Sequence, residues 1–102
     1  MAEEFEHARF LENLNAKFRL SLEAGASAEL ELAEVSDLKT GPGQEWFSIV
    51  LREGSERILP QRIYQVDTDT MGSMEIFIVP IRKTDEGVFY EAVFNRLLNK
   101  PE

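Results

Sequence analysis

A chain of 102 residues, 43% of them apolar, suffices for one compact domain with a real core and is too short for two. It contains no cysteine, which excludes disulfides, thiolate metal sites, iron–sulfur clusters and a cysteine nucleophile. Eleven basic against nineteen acidic residues leave a net charge of −8, which disfavours nucleic acid and anionic lipid, because both need a cationic footprint.

Residues 2–15 read as a short helix, with Phe5, Ala8, Leu11 and Leu14 at helical spacing and Phe10 widening that stripe. Glu3, Glu4 and Glu6 suit the positive end of a helix dipole, and Asn13 and Asn15 are stop residues. The opening MAEEFEHARF is acidic and amphipathic, unlike a secretory signal with its basic start and apolar block. No apolar run approaches the roughly 20 residues of a membrane-spanning helix. The expected location is the cytoplasm, or a particle assembled without a signal peptide.

Residues 17–23 alternate as a half-buried strand, with Phe18, Leu20 and Leu22 inward and Lys17, Arg19, Ser21 and Glu23 outward. A turn at 24–27 leads to a second strand at 28–36, with Leu30 and Leu32 inward and Glu29 and Glu31 outward. Ala33 and Val35 then take over the apolar parity. That slip predicts a β-bulge near 32–34, a device that bends strands toward barrel closure. The two strands should form an antiparallel hairpin.

Residues 37–45, centred on Thr40-Gly41-Pro42-Gly43, read as a loop. A third strand covers 46–52, with Phe47, Ile49 and Leu51 on one face and Trp46, Ser48, Val50 and Arg52 on the other. Residues 53–59 read as polar connection. Pro60 then opens a strand at 61–66, as an edge strand or at strand entry. Residues 67–73 read as a second polar loop.

Residues 74–95 form a long hairpin turning at 83–87. Met74, Ile76 and Ile78 point one way, and Phe77, Val79 and Ile81 the other. In the second arm Val88, Tyr90, Ala92 and Phe94 lie opposite Phe89, Glu91 and Val93. A strand with one wet face alternates apolar with polar residues, so this hairpin is expected to be covered on both sides. Pro80 removes a ladder donor from an otherwise aggregation-prone run. Residues 95–102 read as a helical turn and polar tail.

The expected fold is therefore mainly β: a small antiparallel barrel or sandwich of about six strands with an N-terminal α-helix, in a single domain spanning 1–102. Its core occupies 17–95 and its tail 96–102.

Chemistry-bearing constellations are sparse. His7 is the one histidine, read as solvated, and without cysteine it cannot complete a usual zinc set. Glycines 41, 43, 54, 72 and 87 fall in turns, and none opens a phosphate loop. Asp67 and Asp69 resemble the start of a calcium loop, but Met71 holds a ligand position and Ile78 the closing one. They read instead as turn aspartates bonded to nearby amides. Glu29, Glu31 and Glu34 lie in a stretch, 23–37, without Lys or Arg, and Arg19 or Lys17 across the hairpin is the expected partner. Trp46, on the parity opposite the core residues, is either an interface anchor or a cap on the barrel end. Tyr64 and Tyr90 place hydroxyls at the core edge.

Several segments resemble a family of small uncharacterised bacterial domains of about 100 residues. They run from Phe10-Leu11 through Phe18-Arg19-Leu20, then Glu29-Leu30-Glu31-Leu32-Ala33-Glu34-Val35-Ser36, Leu59-Pro60-Gln61 to Tyr64, Gly72 through Ile81, and Tyr90-Glu91-Ala92-Val93-Phe94-Asn95. The resemblance covers most of the chain. It implies an association with phage-tail-collar-like or fibre-like proteins, hence an accessory, assembly or adaptor role, and it brings no catalytic residue.

The sequence thus points to a non-enzymatic protein-binding or assembly module without a cofactor, metal or small-molecule substrate. Its partner is a protein or a second copy. The surplus apolar face of the long hairpin is the candidate surface, with Trp46, Phe77, Val79, Phe89 and Tyr90 as the residues that bind the partner. An acidic decoy that binds a basic, nucleic-acid-binding protein is the alternative of a different class, and would show steep salt dependence. A hydrolase using a carboxylate pair is a third, and requires a deep polar cleft with two close carboxylates.

Overall fold

The structure is a computed structural model that describes residues 7–55 and 57–97. Phe5, the acidic first turn predicted at Glu3, Glu4 and Glu6, and the tail beyond residue 97 lie outside the described residues. The elements are α1 (His7–Glu12), β1 (Lys17–Ser21), β2 (Ser27–Val35), β3 (Lys39–Gly41), β4 (Gln44–Glu53), β5 (Arg62–Thr68), β6 (Gly72–Thr84) and β7 (Gly87–Leu97). The sheet order is β2-β1-β5-β6-β7-β4-β3, and a further pairing of β2 with β4 closes six strands into a barrel with β3 outside it. All the pairings are antiparallel. The expected mainly-β barrel with an N-terminal helix is what forms.

Alternation sorts the side chains. β1 buries Phe18 and Leu20 and β2 buries Ala28, Leu30 and Leu32; from β4 come Phe47, Ile49 and Leu51. β6 buries Met74, Ile76 and Ile78, against Tyr64 and Val66 of β5 and Val88, Tyr90 and Ala92 of β7. The register of β2 against β4 shifts between Leu32 and Glu34, the bulge that the slip in apolar parity predicts. β6 shifts against β7 between Pro80 and Arg82, where proline supplies no N–H to the ladder. The seam between β1 and β5 is the shortest in the barrel, with the pairs Arg19↔Asp67 and Leu20↔Val66.

Two plugs close the barrel ends. The described part of α1, His7–Glu12, is held by Phe10, which is fully buried. The Phe10 ring stacks on Phe94 at 5.1 Å between centroids and meets Phe47 at 5.6 Å. Leu11 and Leu14, expected on the buried stripe, are exposed, because the helix stands over the barrel mouth and Phe10 is the side chain that it buries among the described residues. Asn15 takes a left-handed φ of 73°, and its N–H donates to the Leu32 carbonyl, leading the chain into β1. At the other end Leu59 is buried. Its N–H donates to the Tyr90 hydroxyl at 2.9 Å, and the Tyr64 hydroxyl donates to the Pro60 carbonyl at 2.5 Å.

Several boundaries differ from the sequence reading. The predicted loop at 37–45 contains β3, which folds back on β4 through a tight turn at Pro42-Gly43, with Gly43 at φ 75°. Proline followed by a positive-φ glycine is the composition of a type II turn. Asp67 and Thr68 belong to β5, and Gly72 and Ser73 to β6, so the second loop shrinks to a short turn. β5 pairs on both sides, so Pro60 marks strand entry and not an edge. Residues 95–97 continue β7 where a helical turn was expected. Glu53, read as part of a polar connection, ends β4 with its side chain turned inward and buried against Arg57 at 2.8 Å.

Candidate functional site

Among the described residues no second layer covers the outer side of the long hairpin; α1 plugs the barrel mouth instead. Long side chains cover part of its outer face. The Arg82 guanidinium lies 4.2 Å from the Phe89 ring centroid, over the pair Arg52↔Phe89. Arg82 also approaches Glu34 at 3.9 Å, and Arg52 reaches Glu31 at 2.8 Å. The outward residues Phe89 and Val50 are thereby buried in a folded monomer. Arginine stems shield apolar surface while their heads remain in water.

Among the described residues, the rest of the outer face has no such cover. Ile63 of β5 is opposite Phe77 of β6, and they are 61% and 50% exposed. Val93 of β7 is 60% exposed. These residues flank a groove of about 340 Å³, lined also by Glu75, Ile76, Phe94 and Asn95. Val93 borders a second, smaller depression together with Trp46 and Lys39. An apolar stripe therefore crosses four strands, from Ile63 through Phe77 and Val93 to Trp46.

The five residues expected to bind a partner divide accordingly. Phe77 stands in the stripe, and Val79, half-buried, follows it on β6. Trp46 is half-buried at the margin, its indole lying over Gly41, where a Cβ would sit 3.4 Å from the ring. Phe89 is outward but covered, so as an accessible anchor it is corrected by Arg82. Tyr90 is corrected more fully: it points into the barrel, is wholly buried, and anchors the loop at Leu59. Ile63 and Val93 were missed as site residues. The sequence reading gave Ile63 no face, and only its register opposite Phe77 and the groove that they share with Val93 bring the three together.

The charged groups form structural pairs. Lys17 and Arg19 stand opposite Glu31 and Glu29 across the hairpin as expected, but Glu31 forms its ion pair with Arg52, and Arg19 approaches Asp69 at 3.6 Å. The acidic strand is thus partly neutralised by Arg52 of the neighbouring β4 and by Arg82 of β6. His7, expected to be solvated, is docked: its Nε2 is 2.7 Å from the Ser36 carbonyl, and its ring meets Phe47 edge-on at 5.0 Å. Asp67 accepts from the hydroxyl of Ser73, its register partner, and Asp69 approaches Arg19, where bonds to nearby amides were expected; it is the Thr68 hydroxyl that accepts the Met71 N–H. Among the described residues no group of three or more histidines or carboxylates is placed to hold a metal ion.

Burial raises the Tyr90 hydroxyl above its ordinary pKa of 10.0; the Leu59 N–H opposes this and the Glu53 carboxylate adds to it. Tyr64 is raised for the same first reason, with Arg62 and Arg57 opposing. Neither hydroxyl lies in the apolar stripe. A polar cleft of about 470 Å³ beside the β6–β7 turn is lined by Gly54, Ser55, Lys83, Thr84, Asp85 and Gly87. Among the described residues, the one carboxylate in its lining is that of Asp85.

No curated protein and no solved structure matches the chain. A family model described as a domain of unknown function (DUF6916) matches residues 5–94, nearly the whole of the barrel. The chain therefore belongs to the DUF6916 family of domains of unknown function.

Proposed function

We propose that this chain is a non-enzymatic protein-binding or assembly module, which docks a protein partner or a second copy through the stripe Ile63–Phe77–Val93. One observation carries the reading: three large apolar side chains, each half or more exposed, stand side by side on adjacent strands. Contiguous apolar surface of this kind marks interaction sites, and here it rides on a hydrogen-bonded barrel that needs little ordering on binding. The anchors are Phe77 and its neighbours, with Trp46 and Val79 at the margin. Glu75 and Glu91 form a charged rim that keeps the isolated chain soluble. The sequence resemblance supports a finer placing, as an accessory or adaptor of a phage-tail-like or fibre-like bacterial assembly.

Phe77→Asp and Val93→Asp test this. Light scattering and affinity capture with the wild-type chain define the oligomer or complex. Each variant should weaken it by roughly 30-fold or more, the effect of losing a central anchor, while circular dichroism reports a folded barrel. A complex that survives both substitutions overturns the reading. So does unfolding of both variants, which would place these residues in the core.

A further inference from the structure

The covered and uncovered halves of the outer face differ in one ingredient. On the covered half an arginine lies over the aromatic ring and a carboxylate holds it. Arg82 sits 4.2 Å from the Phe89 centroid and approaches Glu34 at 3.9 Å, while Arg52, the register neighbour of Phe89, binds Glu31 at 2.8 Å. On the uncovered half the ring and the carboxylates are present without the cation. Glu75 lines the hollow at Phe77, Glu91 lines the hollow at Trp46, and the two hollows meet at Val93. Among the described residues neither carboxylate has an ion-pair or hydrogen-bond partner. The neighbouring outward positions on β5, β6 and β7 carry Ile63, Gln65, Val79 and Asn95, none of them basic. Lys39, the register partner of Trp46, stands at the far margin of the second hollow and forms no ion pair with Glu91.

What covers the stripe must therefore bring positive charge. A wholly apolar surface laid over both hollows would strip water from two carboxylates and return nothing to them. A second copy docked patch to patch, as two-fold symmetry requires, would add two more carboxylates to the same place in a chain of net charge −8. A guanidinium answers both needs of this half, because it pairs with a carboxylate through two hydrogen bonds and stacks on an aromatic face. Glu75 and Phe77 share one face of β6, about 7 Å apart along the strand, within reach of a single arginine.

We propose that the stripe docks a basic protein surface on which apolar side chains flank an arginine. This arginine lies over Phe77 and pairs with Glu75, and a second basic group meets Glu91. The partner thus supplies on this half what Arg82 and Arg52 supply on the other. This rests on the reading of the stripe as a docking surface and specifies the chemistry of the partner.

The probes are capped leucine peptides carrying at their centre arginine, lysine or citrulline, the last being the uncharged counterpart of arginine. Each is titrated by calorimetry into the whole chain. The arginine peptide should bind about tenfold more tightly than the citrulline peptide, the effect of one charge-assisted hydrogen bond. Glu75→Gln should erase that preference, and Phe77→Leu should erase the preference of arginine over lysine, since it keeps an apolar contact and removes the ring. Phe77→Ser, with Ile63→Ser beside it and circular dichroism reporting the fold, should weaken all three peptides. Equal binding of the arginine and citrulline peptides, weakened by either serine variant, overturns the arginine and leaves the docking surface standing. Binding that neither serine variant changes overturns the docking surface as well. An arginine preference that survives Glu75→Gln places the contact elsewhere on the acidic surface and overturns this site, and no binding of any peptide at millimolar concentration overturns the proposal. A dimer in light scattering that Phe77→Ser breaks and the arginine peptide does not disperse makes a second copy the occupant and overturns the basic partner.

Discussion

Gly87 offers the sharpest test of the packing. It follows the two-residue turn between β6 and β7, at φ 127°, a region that side-chain-bearing residues rarely adopt. A Cβ built there would lie 2.1 Å from the Glu53 carbonyl oxygen, 2.9 Å from its carbon and 3.0 Å from Gly54 Cα. All three are backbone atoms at the end of β4, so no rotamer change relieves the overlap. Gly87→Ala therefore combines backbone strain of about 1–3 kcal/mol with forced overpacking of about 1–3 kcal/mol, together about 2–6 kcal/mol. Gly43→Ala is the control. Its φ of 75° is also left-handed, but a Cβ there meets nothing within 4 Å, so only strain of about 1–2 kcal/mol applies. The assay is urea unfolding of both variants beside the wild type. With a slope of about 1.5 kcal/mol per molar for a chain of this size, Gly87→Ala should lower the midpoint by about 1–4 M and Gly43→Ala by about 1 M. Equal midpoints for the two variants would refute the steric argument and show that the strand ends separate freely.

Phe10→Ala should cost about 3–5 kcal/mol, because it empties the barrel mouth, whereas Leu11→Ala, one residue along the same helix but exposed, should cost under about 0.5 kcal/mol; thermal unfolding compares them directly. Tyr90→Phe should cost about 1–3 kcal/mol in denaturant, since the buried Leu59 N–H loses its acceptor. The wild type should also lose stability at alkaline pH. Burial raises the Tyr90 pKa in the fold, so the unfolded chain gives up its proton first. The contribution is whole below about pH 10 and falls as pH rises toward the folded value. Tyr90→Phe should flatten that part of the curve, and an unchanged alkaline limb would refute the assignment.

The strand faces were legible wherever two-residue alternation is unbroken, as at Phe18–Leu20, Phe47–Ile49–Leu51 and Met74–Ile76–Ile78. Even the bulge showed, because Ala33 and Val35 take over the apolar parity from Leu32. Three features escaped for one shared reason: they depend on neighbours distant in sequence. Phe10 looked peripheral on a helical wheel, yet the partners that bury it are Phe18, Phe47 and Phe94. β3 is three residues long and too polar for a periodic signal, and it exists because the Pro42-Gly43 turn returns it to β4. Phe89 and Phe77 carry the same local pattern, and only the register, which brings Arg82 over one of them, separates covered from exposed. The outer face of the site was thus readable, and its division was not.

The brief seam between β1 and β5 bears on the order in which the barrel assembles. β4 and β7 zip along ten register pairs, and the β5–β6 and β6–β7 ribbons are formed by chain neighbours. The β1–β5 stitch holds two pairs and joins residues nearly half the chain apart, so loop-closure entropy weighs against making it early. We expect it to form after the rate-limiting barrier. Truncating Leu20 or Val66 should then quicken unfolding and leave the refolding limb of a chevron nearly unmoved. A slowed refolding limb would place that stitch in the nucleus instead. On this view the lifetime of the closed barrel is governed by its smallest junction.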